Sequence, residues 1–205
     1  MLGLGITVPG VVDKEQSMLI FAPTLGLRNA SLQSLNNIFS HYPVYIENDA
    51  NASGYAESWI RKGTRNLVYV SIERGVGGAL FLNNTRYTGD NGRSGEFGHI
   101  CIVPNGRTCR CGKRGCLEAY CSTSRLSDDL DITLEDFFTM LHQGNQQIAL
   151  TWTCYRDHLT DGLAMIRAAL DCDLVLGGML AAYLEDELPI IRQEVCKKTV
   201  FTMYI

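Results

Sequence analysis

The sequence has little of the features that mark membrane, secreted or nucleic-acid-binding proteins. No apolar run approaches the roughly 20 residues that a membrane-spanning helix needs. The opening MLGLGITVPG lacks the positively charged start of a signal peptide. No run of basic residues is longer than a residue or two, and the formal net charge is −4. Phosphate contacts need clustered cations, so neither DNA nor RNA is expected to bind this chain directly. We expect a cytoplasmic protein with no membrane partner.

The chain has eight cysteines, a number that could indicate the disulfide framework of a secreted protein. Five of them stand singly among apolar or helical neighbours, which is typical of reduced cysteines in a core. These five are Cys101, Cys121, Cys154, Cys172 and Cys196. A reduced, intracellular protein is therefore the better interpretation of the cysteine pattern.

Strand-like and helix-like segments alternate along the chain, which predicts an α/β fold. Strands are predicted at residues 2–8, 44–49, 67–72, 78–84 and 173–178. The spacing of apolar residues predicts a helix after the second strand, with Gly63 as its stop. The predicted apolar face of this helix consists of Ala52, Tyr55, Ala56, Trp59 and Ile60.

Two further helices are predicted in the second half of the chain. Thr133 and Asp136 have the spacing of a capping box, and Gly144 would end the helix that they open. A longer helix should follow, because apolar residues recur there at intervals of three and four. These residues are Ile148, Trp152, Tyr155, Leu159, Leu163, Ile166 and Leu170.

Three closely spaced cysteines predict a metal site. Cys109, Cys111 and Cys116 follow the pattern C-x-C-x4-C, and the glycines between them allow the backbone to turn tightly. His99 lies upstream, and one imidazole nitrogen with three thiolate sulfurs completes the tetrahedral set that zinc prefers. This closed set leaves no position for a water molecule, which argues against a hydrolytic metal.

Other arrangements of these residues remain open. Cys101 or Cys121 could replace His99, because both lie near the cluster in the sequence. The thiols could also be free or joined in a disulfide. Neighbouring cations favour the thiolate, which is the form that binds metal. These cations are Arg107, Arg110, Lys113 and Arg114.

Six segments match the motifs of one known family. They are GITVPGVVD (5–13), ENDANA (47–52), GVGGALFLNN (75–84), GEFGH (95–99), CRCGKRGCLEAY (109–120) and LVLGG (174–178). In these segments the sequence resembles the ROK family of repressors, open reading frames and sugar kinases. The spacing from Glu-x-Gly-His to C-x-C-G-x-x-G-C-x-E carries most of the resemblance, since any one glycine-rich segment alone is weak evidence.

The resemblance implies an α/β fold of the actin-like, ribonuclease H-like type, in which two lobes enclose a cleft. We expect an N-terminal lobe at residues 1–63 and a C-terminal lobe at residues 64–205, with the zinc loop at residues 95–121. The first hairpin of the fold has no counterpart here, and the chain ends on the apolar TVFTMYI. We therefore expect both ends to be incomplete. Members of the family commonly form homo-oligomers, and the same is expected of this chain.

The resemblance also implies that the cleft binds a hexose-type sugar. Sugar hydroxyls both donate and accept hydrogen bonds, so carboxylates, amides and imidazole suit them. Asn48 and Asp49 would bind hydroxyls from one side. Glu96, His99 and Glu118 would bind them from the other, with one nitrogen of His99 on zinc and the other facing the sugar.

Each of these residues has a simpler explanation. Asn48, Asp49 or Asn51 could cap the helix that follows, because asparagine and aspartate are preferred N-cap residues. Glu96 and Glu118 could be ordinary surface carboxylates. The sugar-binding assignment therefore depends on the surrounding motifs.

In kinases of the family, the aspartate at the position of Asp49 is the general base, and ATP with magnesium is the second substrate. Backbone N–H groups of glycine loops would hold the phosphates. By resemblance these loops contain Gly75 and Gly77, and then Gly177 and Gly178. The last two could equally form a plain turn at the end of a strand.

The nucleotide-binding half of the family pattern is altered in this sequence. The second phosphate loop usually reads Gly-Thr-Gly, whereas ERGVGG stands here, with Glu73 and Arg74 in place of the first Gly-Thr pair. A carboxylate there would repel a triphosphate. We therefore favour the sugar-binding effector domain of a ROK-type transcriptional regulator, which senses a hexose or a derivative and contacts DNA only through an additional N-terminal domain. The alternatives are an ATP-dependent sugar kinase and a zinc-stabilised interaction scaffold.

Overall fold

A computed structural model describes residues 2–22, 25–61 and 65–200. The elements before residue 65 are β1 (Leu4–Val8), β2 (Val11–Asp13), β3 (Met18–Ala22), β4 (Leu27–Ser31), α1 (Gln33–Ile38), β5 (Val44–Asn48) and α2 (Asp49–Ile60). Strands β1 and β5 pair in parallel. Strands β2, β3 and β4 form a separate antiparallel sheet in that order. Since β5 leads directly into α2, the polar residues at their junction have a fixed position.

The rest of the described chain is built on one four-stranded sheet. Its elements are β6 (Leu67–Ile72), β7 (Val76–Leu82), β8 (Thr85–Tyr87), α3 (Glu118–Cys121), α4 (Leu134–His142), α5 (Gln146–Leu170), β9 (Asp173–Gly177) and α6 (Leu188–Lys198). Short 3-10 turns occur at Phe97–His99, Thr123–Arg125, Asp128–Leu130 and Met179–Tyr183. The strand order is β8-β7-β6-β9, with β9 parallel to β6 and the other pairs antiparallel.

Strand β6 is buried along its whole length because helices cover both of its faces. Val68, Val70 and Ile72 belong to the main core, which also contains Trp152 of α5. Leu67 and Tyr69 belong to a second cluster on the opposite face. This alternation is the period of two that a strand imposes on its side chains, and it places the larger core beneath the C-terminal helices.

The start of α4 follows the sequence-based expectation, and that of α5 has a cap that was not predicted. Thr133 accepts a hydrogen bond from the backbone N–H of Asp136, whose side chain accepts one from the N–H of Thr133, so the predicted capping box is confirmed. Asn145 caps the long helix α5 by accepting from the N–H groups of Gln147 and Ile148. Within the described ranges, none of the helices combines the length and the apolar character that crossing a bilayer demands.

The apolar face predicted for α2 is wrong. Trp59 and Ile60 are 85% and 71% exposed, and Tyr55 is nearly half exposed. The helix buries Ala50 and Gly54 instead. A Cβ added to Gly54 would lie 2.9 Å from the Ala79 Cβ. The helix therefore packs on the sheet through its smallest residues, and the larger apolar side chains are left outside the contact.

Two other expectations differ from the structure or lie beyond it. Cys121 and Cys172 are buried as expected, but Cys101 and Cys154 are exposed, so the core assignment is wrong for the latter pair. The predicted helix stop at Gly63, and with it the boundary between the two predicted lobes, lies outside the described residues. The two lobe ranges therefore stay a prediction.

The two tryptophans give a direct test of this packing. Trp152→Ala should lower the free energy of unfolding by about 3–5 kcal/mol, because it removes a fully buried aromatic side chain. Trp59→Ala is the matched control and should change it by no more than about 0.5 kcal/mol. Urea unfolding followed by far-UV circular dichroism measures both. An equal loss in the two variants would contradict the exposed position of Trp59.

Candidate functional site

A cavity of about 630 Å³ lies between the start of α2 and the hairpin of β6 and β7. Its volume is in the range of small-molecule sites. The five residues predicted to bind sugar all line it, although they come from distant parts of the chain. They are Asn48, Asp49, Glu96, His99 and Glu118.

Asn48 and Asp49 occupy the junction between β5 and α2. The Asn48 amide nitrogen donates to the Gly10 carbonyl oxygen at 2.9 Å, and its oxygen accepts from the Asn51 N–H at 3.0 Å. The amide nitrogen also donates to Asp49 Oδ1 at 3.0 Å. Asn48 is thus the N-cap of α2, and a ligand could use only the second lone pair of its oxygen. Asp49 Oδ1 accepts from the Ala50 N–H at 2.8 Å. Asp49 Oδ2 accepts no hydrogen bond from the described part of the chain and is available to a ligand.

Glu96 and His99 lie on opposite ends of one 3-10 turn. His99 Nε2 is 3.7 Å from Glu96 Oε2, and both residues line the cavity. Burial raises the pKa of Glu96, the nearby Glu118 carboxylate adds to the rise, and His99 opposes it. A carboxyl group with a raised pKa is a hydrogen-bond acceptor when ionised and also a donor when protonated, and both suit a sugar hydroxyl.

Glu118, at the start of α3, connects the cavity to the cysteine loop. Its Oε2 accepts from the backbone N–H of Val76 at 3.0 Å. Its Oε1 accepts from the Cys109 thiol at 3.4 Å. A carboxylate has about four acceptor positions, so two bonds to protein leave room for a ligand hydroxyl.

The predicted metal ligands converge on one point. The donor atoms of His99, Cys109, Cys111 and Cys116 all lie within 4.8 Å of one another. Cys111 Sγ is 3.8 Å from Cys116 Sγ, and His99 Nδ1 is 3.8 Å from Cys109 Sγ. Zn–S bonds of about 2.3 Å at the tetrahedral angle would place two sulfurs about 3.8 Å apart. The spacing therefore fits zinc, with Nδ1 of the imidazole towards the cysteines and Nε2 towards Glu96.

The electrostatics of the thiols also fit a cation. Burial raises the pKa of Cys109, with Glu118 adding to the rise, and burial raises that of Cys116 as well. Burial acts on Cys111 in the same direction, but the Lys113 N–H and the other two thiols outweigh it and lower its pKa. Of the three thiols, Cys111 is the one whose pKa lies below its ordinary value. A dication would supply the charge that three thiolates require.

Cys101 and Cys121, the alternatives to His99 as a ligand, have hydrogen-bond partners elsewhere. The Cys121 thiol donates to the carbonyl oxygen of Tyr155 inside the core. The Cys101 thiol lies 3.7 Å from the Arg114 carbonyl oxygen. All eight cysteines are free thiols. The backbone between the ligands turns at Gly115, whose φ is +84° and where a Cβ would meet the Val103 carbonyl oxygen at 2.0 Å.

Three charged residues that the sequence did not indicate also line the cavity: Lys14, Glu47 and Arg86. Burial acts to raise the pKa of Glu47, but the Lys14 hydrogen bond, the Asn48 N–H and Arg86 together lower it. The Arg86 side chain is only 12% exposed, and its buried Nε has no hydrogen-bond partner in the described ranges. Buried donors normally have a partner, so Nε of Arg86 is an exception among the described residues.

The four glycines predicted to face a nucleotide divide into two pairs. Gly75 and Gly77 line the cavity, whereas Gly177 and Gly178 are not among its lining residues. A Cβ on Gly177 would be 2.1 Å from the Tyr69 hydroxyl oxygen, so packing alone explains this glycine. The nucleotide assignment of all four stays a prediction.

Comparison with known proteins finds one matching family and relatives of two kinds, repressors and glucokinases. The model of the ROK family matches residues 1–200. The xylose repressor of Bacillus subtilis is 39% identical over 149 residues, which is 69% of this chain and 38% of that protein. The glucokinase of Halalkalibacterium halodurans is 32% identical over 130 residues, which is 62% of this chain and 39% of that protein. The chain thus spans about two-fifths of the length of these curated relatives.

Solved structures of ROK proteins have the same fold as this chain. A ROK family glucokinase from Streptomyces griseus, in complex with glucose and AMPPNP, superposes with a TM-score of 0.86 at 25% identity, over 97% of this chain and 72% of the other. A ROK family transcriptional regulator, a homolog of the E. coli MLC protein, has a TM-score of 0.83 at 25% identity, over 97% and 55%. The predicted α/β fold of the actin-like type is confirmed.

The metal cluster predicts that substituting one of its cysteines weakens zinc binding. We expect Cys111→Ser to weaken zinc binding about tenfold or more, since even an outer-shell partner of a metal ligand contributes roughly 10–100-fold. Cys154→Ser is the control, because that exposed thiol lies on α5 outside the cluster. Zinc content after dialysis and the melting temperature measure the effect. A folded wild-type protein that never retains zinc would contradict the assignment.

Proposed function

The chain belongs to the ROK family, and on that premise we propose that it is the sugar-binding part of a ROK transcriptional regulator. Its ligand is a monosaccharide held in the cavity by Asn48, Asp49, Glu96, His99 and Glu118. Xylose is the first candidate, because xylose repressors are among the similar proteins. Glucose is the second, because a structural relative is described in complex with it.

One observation carries this proposal: the five residues line a single cavity. Each hydroxyl of a sugar needs both a donor and an acceptor in fixed positions. Asp49 Oδ2 and the remaining lone pairs of Glu118 supply acceptors. His99 Nε2 can donate or accept, depending on which ring nitrogen carries the proton. Zinc on Nδ1 would place the proton on Nε2, so His99 would donate to the sugar.

The role of zinc in this proposal is to position side chains, and no chemical step passes through it. Bound to Cys109, Cys111 and Cys116, it would fix the ring of His99 and the start of α3, where Glu118 stands. Ligand rings held in this way keep one tautomer and one orientation. The interaction scaffold is not pursued, because the relatives described above are regulators and kinases.

Sensing requires only that the sugar binds one conformation of the protein better than another. In a regulator of this family the second conformation would differ in its affinity for DNA. The described residues supply the sugar site. DNA binding by the whole protein, and the homo-oligomer expected from the family, are proposals that reach beyond these residues.

A second candidate function is ATP-dependent phosphorylation of the sugar, with Asp49 as the general base. The free Oδ2 of Asp49 favours it, since a base needs an oxygen within reach of the substrate hydroxyl. The likeness to the ROK family glucokinase from Streptomyces griseus is a further argument. Against it, Glu73 and Arg74 stand in the cavity wall, where the family pattern has small residues that let phosphate approach the backbone.

Sugar binding gives the first test of this proposal. Wild-type protein should bind xylose or glucose saturably in isothermal titration calorimetry. Glu96→Gln should weaken the binding about tenfold or more, because hydrogen bonds to a charged group contribute roughly 1.5–3 kcal/mol. Glu135→Gln is the control, since that residue is exposed on α4 and is not among the residues that line the cavity. Absence of binding across a broad panel of monosaccharides would refute the proposal.

Enzyme assays separate the regulator from the kinase. With ATP, magnesium and the sugar that binds, we expect no sugar phosphate above the level of a protein-free blank. If the chain is a kinase, sugar phosphate forms and Asp49→Asn abolishes it while leaving sugar binding measurable. The coupled assay with wild-type and Asp49→Asn protein therefore decides between the two functions.

A further inference from the structure

The carboxylate of Glu47 connects the three sheets of the described chain at the edge of the cavity. Glu47 lies in β5, which pairs with β1. Its Oε2 accepts a hydrogen bond from Lys14 Nζ, and Lys14 directly follows β2 of the second sheet. The same oxygen lies 3.7 Å from a guanidinium nitrogen of Arg86, which belongs to β8 of the third sheet. One carboxylate thus meets a cation from each of the other two sheets.

The other oxygen of Glu47 holds the first turn of α2. Oε1 accepts from the backbone N–H of Asn48 at 3.0 Å and from the side-chain amide of Asn51 at 3.3 Å. These two residues also form the N-cap bond of the helix, in which Asn48 Oδ1 accepts from the Asn51 N–H. Asp49 lies between them in the chain. The position of the Asp49 carboxylate therefore depends on that of Glu47.

Arg86 contacts the same helix at a second point. Its guanidinium carbon lies 6.0 Å from the centroid of the Tyr55 ring, at the outer limit of a cation–π contact. The Tyr55 ring in turn packs edge-on against Phe81 at 5.2 Å. Phe81 is the residue of β7 that stands opposite Arg86 in the sheet register. Helix α2 therefore rests on the β7–β8 pair beside Arg86, in addition to the ion pair through Glu47.

Strand β8 leads into the opposite wall of the cavity. The chain continues from Arg86 to Glu96 and His99, and it lines the cavity on the way at Thr88 and Ser94. Arg86 thus connects the start of α2 to the segment that supplies the second set of proposed sugar contacts. A sugar held by both walls needs them at a fixed separation, because the contacts of a binding site depend on side chains kept in place by their neighbours.

Burial distinguishes Arg86 from Lys14. The side chains of Glu47 and Arg86 are 18% and 12% exposed, whereas that of Lys14 is 52% exposed. Lys14 is the closer of the two cations, but water and salt screen an exposed charge far more than a buried one. We therefore expect the contact of Arg86 with Glu47 to depend less on salt than that of Lys14, and Arg86 is the residue to test.

We propose that Arg86 is a positioning residue of the sugar site. Through Glu47 it holds the start of α2 at a fixed separation from the wall that carries Glu96 and His99. The inference rests on the proposed sugar site, and it adds a residue that acts on the sugar only through others. Loss of the Arg86 cation weakens sugar binding although all five proposed sugar-binding side chains are still present.

Calorimetric titration with xylose and glucose tests the inference on wild-type protein and three variants. Arg86→Met should weaken sugar binding about tenfold, the equivalent of about 1.4 kcal/mol. Arg86→Lys should recover most of this loss, because it restores a charge beside Glu47 and the contact is not bidentate. Arg156→Met is the matched control: Arg156 is similarly buried and pairs with two carboxylates, but it does not line the cavity. It should lower the melting temperature and leave sugar affinity unchanged.

Amide hydrogen exchange measures the positioning without any sugar. The N–H of Asn51 donates to Asn48 Oδ1, so its exchange reports local opening of the first turn of α2. Arg86→Met should accelerate this exchange several-fold, and Arg86→Lys should reverse most of the increase. Arg156→Met should leave it at the wild-type rate, because the ion pairs of Arg156 do not involve α2.

The two measurements separate this inference from the proposed function. Sugar affinity in Arg86→Met equal to that of wild type would overturn the role of Arg86 alone. Equal losses of affinity in Arg86→Met and Arg156→Met would also overturn it, since general stability would then explain both. Faster exchange at Asn51 in a protein that binds no sugar would overturn the sugar site and leave the hold of Arg86 on α2 standing. If Arg86→Met does not fold, Arg86→Gln carries the test with the same expectations.

Discussion

The carboxylate of Glu118 holds together the parts from which the cavity is built. One oxygen accepts from the Val76 N–H on β7, and the other lies 3.4 Å from Cys109 Sγ in the cysteine loop, from which it accepts a hydrogen bond while that thiol is protonated and free of metal. The loop itself has little regular structure, so its position depends on such contacts and on the convergence of four metal-binding side chains. A displacement of Glu118 would remove one of the contacts between the loop and the sheet, beside the wall that carries Glu96 and His99.

Much of the fold could be predicted because its signals are local. The capping box at Thr133 and the cysteine spacing both lie within a few residues, where geometry follows directly from the chain. The apolar face of α2 could not be predicted, because its burial depends on a distant sheet that accepts only small residues such as Gly54. Periodicity identified the helix but not the side on which its partner lies.

The candidate site likewise has residues that local motifs predict and residues that only long-range contacts bring there. Sequence motifs predicted Asn48, Glu96 and Glu118 as site residues, and all three line the cavity. Arg86 was missed, because a single arginine in a short strand carries no signal until the fold brings it within 3.7 Å of Glu47. Long-range pairs of this kind require the three-dimensional fold.

Helix α2 connects the ligand cavity to the outside of the molecule. Its first turn begins at Asn48 and Asp49, its middle is seated on the sheet at Gly54, and its last turn presents Trp59 to solvent. At 12 residues the helix is about 18 Å long. A rigid rod of this length, pivoting near its centre, displaces its far end as much as its near end. A ligand that tilted the helix would therefore also move Trp59, which lies outside the cavity lining.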